Sequence, residues 1–473
     1  MSERFDLCII GGGSGGLSVA AGAAQMGAKV VLVERGRMGG DCLNTGCVPS
    51  KALIAAAQRA QSIRDSDGFG ISGAPPNVLF DNVHDHVHAV IAAIAPHDSV
   101  ERFAGLGVRV IPAEGRFVRP DMLIAGDVLV RARRFVVATG SRPVIPPIPG
   151  LDQFGYLTNE TVFELRERPD HLLVVGGGPI GVELAQAFRR LGSGVTLIER
   201  FGILPRDEPE AVEIVRDVLL KEGVRLLENA EISAVVRVNG KAEVMVRTAG
   251  ETQRLIGSHI LVAAGRKPDV DSINPAAAKI EVGPAGIKVD ARLRTSNKRI
   301  FAIGDVCGGP QFTHIAGYQA GIVIRNALFS LPAKVNYNAL PWVTYTEPEL
   351  AHVGLTEAQA RSDGHTVSVL IEPLHANDRA QAERATDGIA KIVVGSRGRI
   401  LGATLVTPHA GELIGLWGLA IAQGLKLSAI AGMIAPYPTL SEISKRAAGR
   451  HFTPTLYGDR MRTVARLIQR LLP

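Results

Sequence analysis

Two cysteines with four residues between them, Cys42-Leu-Asn-Thr-Gly-Cys47, stand directly before Val48-Pro-Ser-Lys51. Sulfur at this spacing offers three chemistries: a structural disulfide, half of a zinc site, or a dithiol that cycles between reduced and oxidised forms. Met1–Asp6 leads straight into the apolar run Leu7–Ile10 without the pattern of a secretory leader, so a cytoplasmic protein is expected. A structural bridge is out of place in such a chain, which has only four cysteines. Zinc needs two further ligands at suitable spacing, and neither Cys8, inside an apolar run, nor Cys307 supplies a paired knuckle. A redox dithiol is the favoured chemistry. Ser50-Lys51-Ala-Leu-Ile-Ala-Ala-Ala reads as a helix beginning near the cysteines, and its N-terminus and Lys51 both favour a thiolate.

The elements that must position this pair repeat. Leu7–Ile10 reads as a strand, followed by Gly11-Gly-Gly-Ser14-Gly-Gly16, a helix to about Met26, and a strand Val30–Val33 ending in Glu34. Leu172–Val175 leads into Gly176-Gly-Gly-Pro-Ile180-Gly181, a helix to about Leu191, and Val195–Ile198 ending in Glu199. Both are G-x-G-x-x-G turns between a strand and a helix. Gly11 or Gly176 makes the turn tight, Gly13 or Gly178 admits a pyrophosphate, and Gly16 or Gly181 lets helix and strand pack. The helix N-terminus presents free N–H groups to phosphate, and the acid suits a ribose 2′-OH. Two such units point to two dinucleotides, the arrangement needed to hand a hydride from one to the other.

Composition narrows the classes. A chain of 473 residues with 46% hydrophobic and 21% charged residues has room for several globular cores. No uninterrupted apolar stretch reaches the ~18 residues of a membrane span. The net charge of +6 is uneven: from Lys445 onward there are seven basic residues and one acid, Asp459, so 7 − 1 = +6 lies there and the remainder is formally neutral. That distribution argues against nucleic-acid binding, which spreads a basic face over a folded domain.

With these motifs in place, the sequence resembles the class I pyridine nucleotide–disulfide oxidoreductases, which include dihydrolipoamide dehydrogenase, glutathione reductase and mercuric reductase. The likeness covers essentially the whole chain. It rests on the glycine turns, Gly39-Gly-Asp-Cys42…Cys47-Val-Pro-Ser-Lys51, Ala138-Thr-Gly140 and Ala264-Gly-Arg-Lys-Pro-Asp269. Phe301-Ala-Ile-Gly-Asp305 and Tyr345-Thr-Glu-Pro348…Gly354-Leu-Thr-Glu357 complete it. The resemblance implies an α/β protein with two Rossmann-like domains, for FAD and NAD, and an α+β dimerisation domain. FAD would take residues 1–150 and 271–340, NAD residues 151–270, and the interface residues 341–473.

Roles follow by the same resemblance. Gly11, Gly13, Ser14, Gly16, Glu34 and Arg35 would hold the FAD adenosine half, and Asp305 the ribityl chain. Gly40, Asp41, Lys51, Ala138, Thr139, Gly140, Gly304, Phe312, Thr313 and His314 would complete the flavin site. Thr313 and His314 would bring a helix N-terminus to the flavin pyrimidine, and Lys51 would pair with Glu183 near the flavin N5. Gly176, Gly178, Ile180, Gly181, Glu199, Arg200, Ala264 and Gly265 would bind the nicotinamide dinucleotide. Glu199 favours NADH, with NADP(H) kept open by Arg200 beside it. Hydride would pass from NADH to the flavin and on to the disulfide through Cys47. Cys42 would attack the substrate and Cys47 resolve the mixed disulfide.

The chain departs from the family at the substrate side. Dihydrolipoamide dehydrogenase and glutathione reductase carry H-P-T-x-x-E, whose histidine handles the outer thiol's proton across the dimer interface. Here the run is Tyr437-Pro-Thr-Leu-Ser-Glu442. A phenol with an ordinary pKa of ~10 stays protonated and donates a hydrogen bond at neutral pH. Mercuric reductases also have a tyrosine near this place, yet they usually add a C-terminal cysteine pair, and no cysteine follows Cys307. Ala21-Gly22 and Pro179 stand where glutathione reductase has arginine and an aromatic residue. The expected function is a homodimeric, dihydrolipoamide dehydrogenase-like reductase of a small disulfide. A metal-ion reductase and a partner- or membrane-recruited flavoprotein are the alternatives.

Three smaller features complete the sequence. His84 and His88 share a helix face at i,i+4, read as a polar face rather than a metal site. Cys307 reads as a packing thiol. In residues 458–473 the apolar Met461, Val464, Ala465, Ile468, Leu471 and Leu472 recur at helical spacing against Arg462, Arg466 and Arg470. This segment is either a helix packed on the dimer or an interfacial helix drawn to anionic lipid or an acidic partner.

Overall fold

The computed structural model describes residues 4–472; residues 1–3 of the leading segment and residue 473 of the basic segment lie outside the described residues. Its contacts divide the chain into two units, Met1–Phe201 with Arg225–Val335, and Gly202–Val224 with Asn336–Pro473.

In the first unit, Leu7, Cys8, Ile9 and Ile10 are consecutive and buried, as a strand covered on both faces requires. Strand Arg4–Ile10 pairs in parallel with Val30–Glu34, Ile9 opposite Leu32, and with Val128–Val137, Ile9 opposite Val136. Arg109–Pro112 and Ile300–Ala302 add further parallel strands, and Gly115–Arg119 and Met122–Ala125 extend the sheet by antiparallel pairing. Helices Ser14–Gln25 and Thr313–Phe329 pack together, and Leu17, Ala20, Ile322 and Val323 share a core with Leu7, Ile9 and Val136. A second parallel sheet runs Arg225–Leu227, Gly194–Ile198, His171–Val175, His259–Val262. Both G-x-G-x-x-G turns leave the carboxyl ends of strands, where open α/β sheets bind ligands. The helix expected from Ser50 begins earlier, spanning Cys47–Arg64. Pro49 does not stop it, because the first turn has no intrahelical acceptor for the N–H that proline lacks.

The second unit is built on an antiparallel sheet ordered Pro341–Thr344, Glu349–Gly354, Ile400–Thr407, Ile389–Val394, Ser368–Pro373. Helices Ala410–Ala422 and Glu442–Arg450 share its core, where the buried Trp417 donates its Nε1–H to Ser444 Oγ at 3.0 Å. Helix Pro209–Lys221 belongs to this unit and packs on two of its strands. The tie is ionic. Lys391, with its side chain 2% exposed, meets Glu208 at 3.0 Å and Glu210 and Glu357 at 2.9 Å. Burial alone would push its pKa down, but the three carboxylates outweigh that and hold it above the ordinary lysine range. Among the described residues, no helix is long and apolar enough to cross a membrane.

Candidate active site

The redox segment is stitched to the first glycine turn. Gly39 N–H donates to Gly12 O at 2.9 Å, and a Cβ on Gly40 would lie 2.7 Å from Gly13 Cα. That close approach explains Gly39-Gly40 ahead of Asp41. Cys42 sits in the short helix Gly40–Asn44, and Cys47 heads the helix Cys47–Arg64. The Cys42 thiol is half-buried and that of Cys47 exposed, and the two hydrogen-bond each other.

Cys47 is also reached from far along the chain. Its Sγ lies 3.4 Å from Thr313 Oγ1, and Thr313 opens the helix Thr313–Phe329, whose N-terminus has no side-chain cap. Two helix N-termini therefore meet at one sulfur, each favouring negative charge. The hydrogen bond from Cys42, joined by that of Thr313 and the charge of Lys51, holds the Cys47 thiol down to about 6. Cys42, as the donor and partly desolvated, is raised. These surroundings favour negative charge at Cys47 over Cys42.

Lys51 lies one turn along the same helix and meets Glu183 Oε2 at 2.8 Å, with the Glu183 side chain 6% exposed. Glu183 is carried by the helix Pro179–Arg190, which packs against Cys47–Arg64. A further network surrounds Asp41. Its Oδ1 accepts from Thr45 Oγ1 at 2.7 Å and Asn159 Nδ2 at 3.0 Å, and its Oδ2 meets Arg266 at 3.1 Å. Arg266 also donates from Nε to Ser141 Oγ at 2.8 Å and from Nη1 to Asn159 Oδ1 at 3.2 Å. Ser141 donates in turn to Asp305 Oδ2 at 2.6 Å, and burial raises Asp305. Sequence reasoning missed Arg266, Ser141 and Asn159 as site residues. Arg266 lay inside the Ala264–Asp269 motif and Ser141 just after Ala138-Thr-Gly140, whereas Asn159 carried no signal.

The two glycine turns match in detail. Gly11 and Gly176 have φ of +108° and +113°, and a Cβ there would meet Ala138 O at 2.3 Å and Ala263 O at 2.4 Å. Around Gly178 a Cβ would meet nothing within 4 Å, and at Gly13 the nearest atom would be 3.8 Å away, which leaves room for a phosphate group. Ser14 and Ile180 lie in the first turns of helices with no side-chain cap. Glu34 accepts from Gly12 N–H and, at 2.6 Å, Gly36 N–H; Glu199 accepts from Gly177 N–H at 2.6 Å and Phe201 N–H at 2.9 Å. Arg35 pairs with Asp269 at 2.7 Å, and Arg200 lies 3.8 Å from Glu231. Thr139 Oγ1 donates to Asp269 O at 2.7 Å, and Gly140 O accepts from Asp269 N–H at 3.0 Å. Gly304 N–H donates to Gln319 at 2.6 Å, and Phe312 stacks on His314 with ring centroids 5.2 Å apart. Ala264 and Gly265 follow the strand His259–Val262, Gly265 O accepting from Val144 N–H at 2.9 Å.

Tyr437 and Glu442 belong to the second unit. The Tyr437 side chain is exposed and its hydroxyl donates to Asp378 Oδ2 at 2.8 Å; this bond raises the phenol pKa. Glu442 Oε2 is buried without a hydrogen-bond partner among the described residues. Asp378 was absent from the sequence reading. His84, His88 and Glu164 gather with ligand atoms within 4.8 Å, as do Asp81, His84 and Asp85. These groups already have partners: His84 Nδ1 bonds Asp85 at 3.1 Å, His88 Nε2 bonds Phe163 O at 3.2 Å, and Arg166 meets Asp81 and Asp85. Burial raises Cys307 to about 12, which keeps it protonated.

Comparison with known proteins fits this geometry. Residues 5–320 match the pyridine nucleotide-disulphide oxidoreductase family, and residues 340–448 match that family's dimerisation domain. A mercuric reductase of Bacillus cereus is 37% identical over 446 residues, covering 94% of this chain and 71% of the relative. A dihydrolipoyl dehydrogenase of Geobacillus stearothermophilus is 36% identical over 449 residues, covering 93% and 94%. Among solved structures, the Cu(II) complex of the HOCl-induced flavoprotein disulfide reductase RclA from Escherichia coli aligns with TM-score 0.84 at 29% identity, covering 93% of this chain and 99% of that one. LpdA of Mycobacterium tuberculosis aligns at 0.86 with 27% identity, covering 94% and 99%. The chain belongs to the class I pyridine nucleotide–disulfide oxidoreductases. It is a flavoprotein disulfide reductase that uses FAD and NAD(P)H, and it carries the domain with which the family forms dimers.

Proposed function

We propose that the chain reduces a small disulfide with NADH, Cys42 exchanging with the substrate and Cys47 resolving the mixed disulfide. The observation that carries this reading is the thiolate environment of Cys47, with Cys42 and Lys51 beside it and Thr313 Oγ1 at 3.4 Å. Cys42 would attack as the thiolate. Tyr437, facing Cys42 of the partner subunit in the family's dimer, would supply a hydrogen bond there rather than a base.

FAD, when bound, supplies the two-electron relay between NAD(P)H and the cysteine pair. Residues 1–150 and 271–340 would hold it. There Gly11–Gly16 and Glu34 receive the adenosine half, while Asp305 and the helix opened by Thr313 and His314 receive the flavin half. Lys51 and Glu183 would orient one another beside its reacting edge. Residues 151–270 would hold the nicotinamide dinucleotide, and residues 341–473 would form the interface. Glu199, fixed by two turn N–H groups, would repel a 2′-phosphate, which supports NADH as donor. A cytoplasmic location suits this donor and a pair that must be kept reducible.

A second reading is favoured by Tyr437, namely reduction of a soft metal ion held by the dithiol. Two of the similar proteins are a mercuric reductase and a Cu(II)-complexed disulfide reductase. Steady-state NADH oxidation with lipoamide, glutathione disulfide, Hg(II) and Cu(II) separates the readings. Turnover of a disulfide, abolished by Cys42→Ser, supports the first. Turnover confined to a metal ion replaces it with the second.

A further inference from the structure

The helix Asp459–Leu471 lies beyond the residues that match the family, which end at 448. None of its residues is buried. Met461, Val464, Leu467, Ile468 and Leu471 are 43%, 45%, 59%, 47% and 75% exposed. At 100° per residue these side chains fall on one side, an apolar arc open to its surroundings. Arg462, Arg466 and Arg470 occupy the other side, while Arg460, in the first turn, stands at the N-terminal end of the apolar side. The helix is self-sufficient in charge placement, with Asp459 in its first turn and Arg470 in its last. Leu456 and Tyr457, just before it, are 57% and 66% exposed.

Charge decides what covers the arc. Within the helix, four arginines and one acid leave 4 − 1 = +3. Pairing this helix with its copy in a second chain would set +3 against +3, a repulsive arrangement. An anionic bilayer offers hydrocarbon for the apolar arc and phosphate for the guanidinium groups, among which Arg462 has an acid, Asp459, at 4.0 Å. At 13 residues the helix is too short to span a bilayer, which takes ~20, and its polar side forbids insertion end-on. We propose that Asp459–Leu471 is an interfacial helix that seats the reductase on an anionic membrane surface.

The test uses the FAD-loaded full chain and co-sedimentation with phosphatidylcholine vesicles, with and without roughly one-third phosphatidylglycerol. Binding is expected to the anionic vesicles alone and to be reversed by salt. Ile468→Asp should abolish it. The triple change Arg462→Gln, Arg466→Gln and Arg470→Gln should lower partitioning on the order of 100-fold, at about fivefold per charge. Both variants should keep wild-type NADH oxidation and dimer mass. The proposal is overturned by wild-type protein that stays in the supernatant, by equal binding to neutral vesicles, or by binding that survives removal of residues 459–472. A variant that turns the dimer into monomer would instead assign the helix to the second copy, and would overturn it too.

Discussion

Thr313 reaches Cys47 across 266 residues of chain, and its hydroxyl is one of the groups that hold the thiol down to about 6. Thr313→Val removes that bond and leaves the helix N-terminus in place. In a Cys42→Ser background, where a hydroxyl still faces Cys47, the thiolate absorbance midpoint should rise by ~1 unit on Thr313→Val. An unmoved midpoint would assign the low value to the group at position 42, Lys51 and the helix ends. At the substrate side, Tyr437→His restores a group able to take a proton near neutrality. Lipoamide-type turnover should then rise at least ~10-fold. No gain would show that Tyr437 is not what limits exchange. The cysteines were legible from their spacing; Asp378, which holds the Tyr437 hydroxyl from 59 residues away, has no sequence signature.

At the scale of elements, the glycine turns were the clearest part of the sequence, because backbone geometry leaves them almost no alternative. A Cβ at Gly181 would lie 1.9 Å from Gly176 O, so Gly181→Ala must push the helix Pro179–Arg190 away from its strand. Flavin content, read from visible absorbance, should stay near wild type, while KM for NADH rises by at least ~10-fold. Loss of flavin as well would mean that the two nucleotide folds do not respond separately. Helix boundaries were less legible: the helix starts at Cys47 rather than Ser50, since Pro49 is tolerated in a first turn. Networks such as Arg266 with Asp41, Asn159 and Ser141 join segments that no periodicity connects. Only the motif around Arg266 hinted at its importance.

For the whole molecule, one buried and one half-buried group in the second unit set opposing pH dependences. Trp342 lies against both, its ring 4.3 Å from that of His352 and its Nε1–H donating to Asp207 at 2.7 Å. Burial lowers His352 to about 4 and raises Asp207 to about 6. A histidine depressed on folding favours the folded state above pH ~6.5 and withdraws that support as pH falls toward 4. An aspartate raised on folding does the reverse, disfavouring the folded state as pH rises from 3.8 to about 6. Each amounts to about 3 kcal/mol at ~1.4 kcal/mol per unit, so between pH 4 and 6 the two nearly cancel. Asp207→Asn keeps the acceptor for Trp342 and removes one side of the balance. Its denaturant midpoint should fall more steeply from pH 6.5 to 4 than that of the wild type.

The cluster around Lys391 also determines how this protein can be recombined. A hybrid that exchanges residues 341–473 with a relative cuts between Lys391 and two of its three carboxylates, because Glu208 and Glu210 arrive from a stretch more than a hundred residues earlier. A graft without that stretch inherits an ammonium in a dry site with Glu357 alone, at about 3–5 kcal/mol when such a pair is broken. The exchangeable piece is therefore discontinuous. It consists of residues 202–224 together with 336–473, and crossovers placed outside both should yield folded chimaeras where a single cut does not.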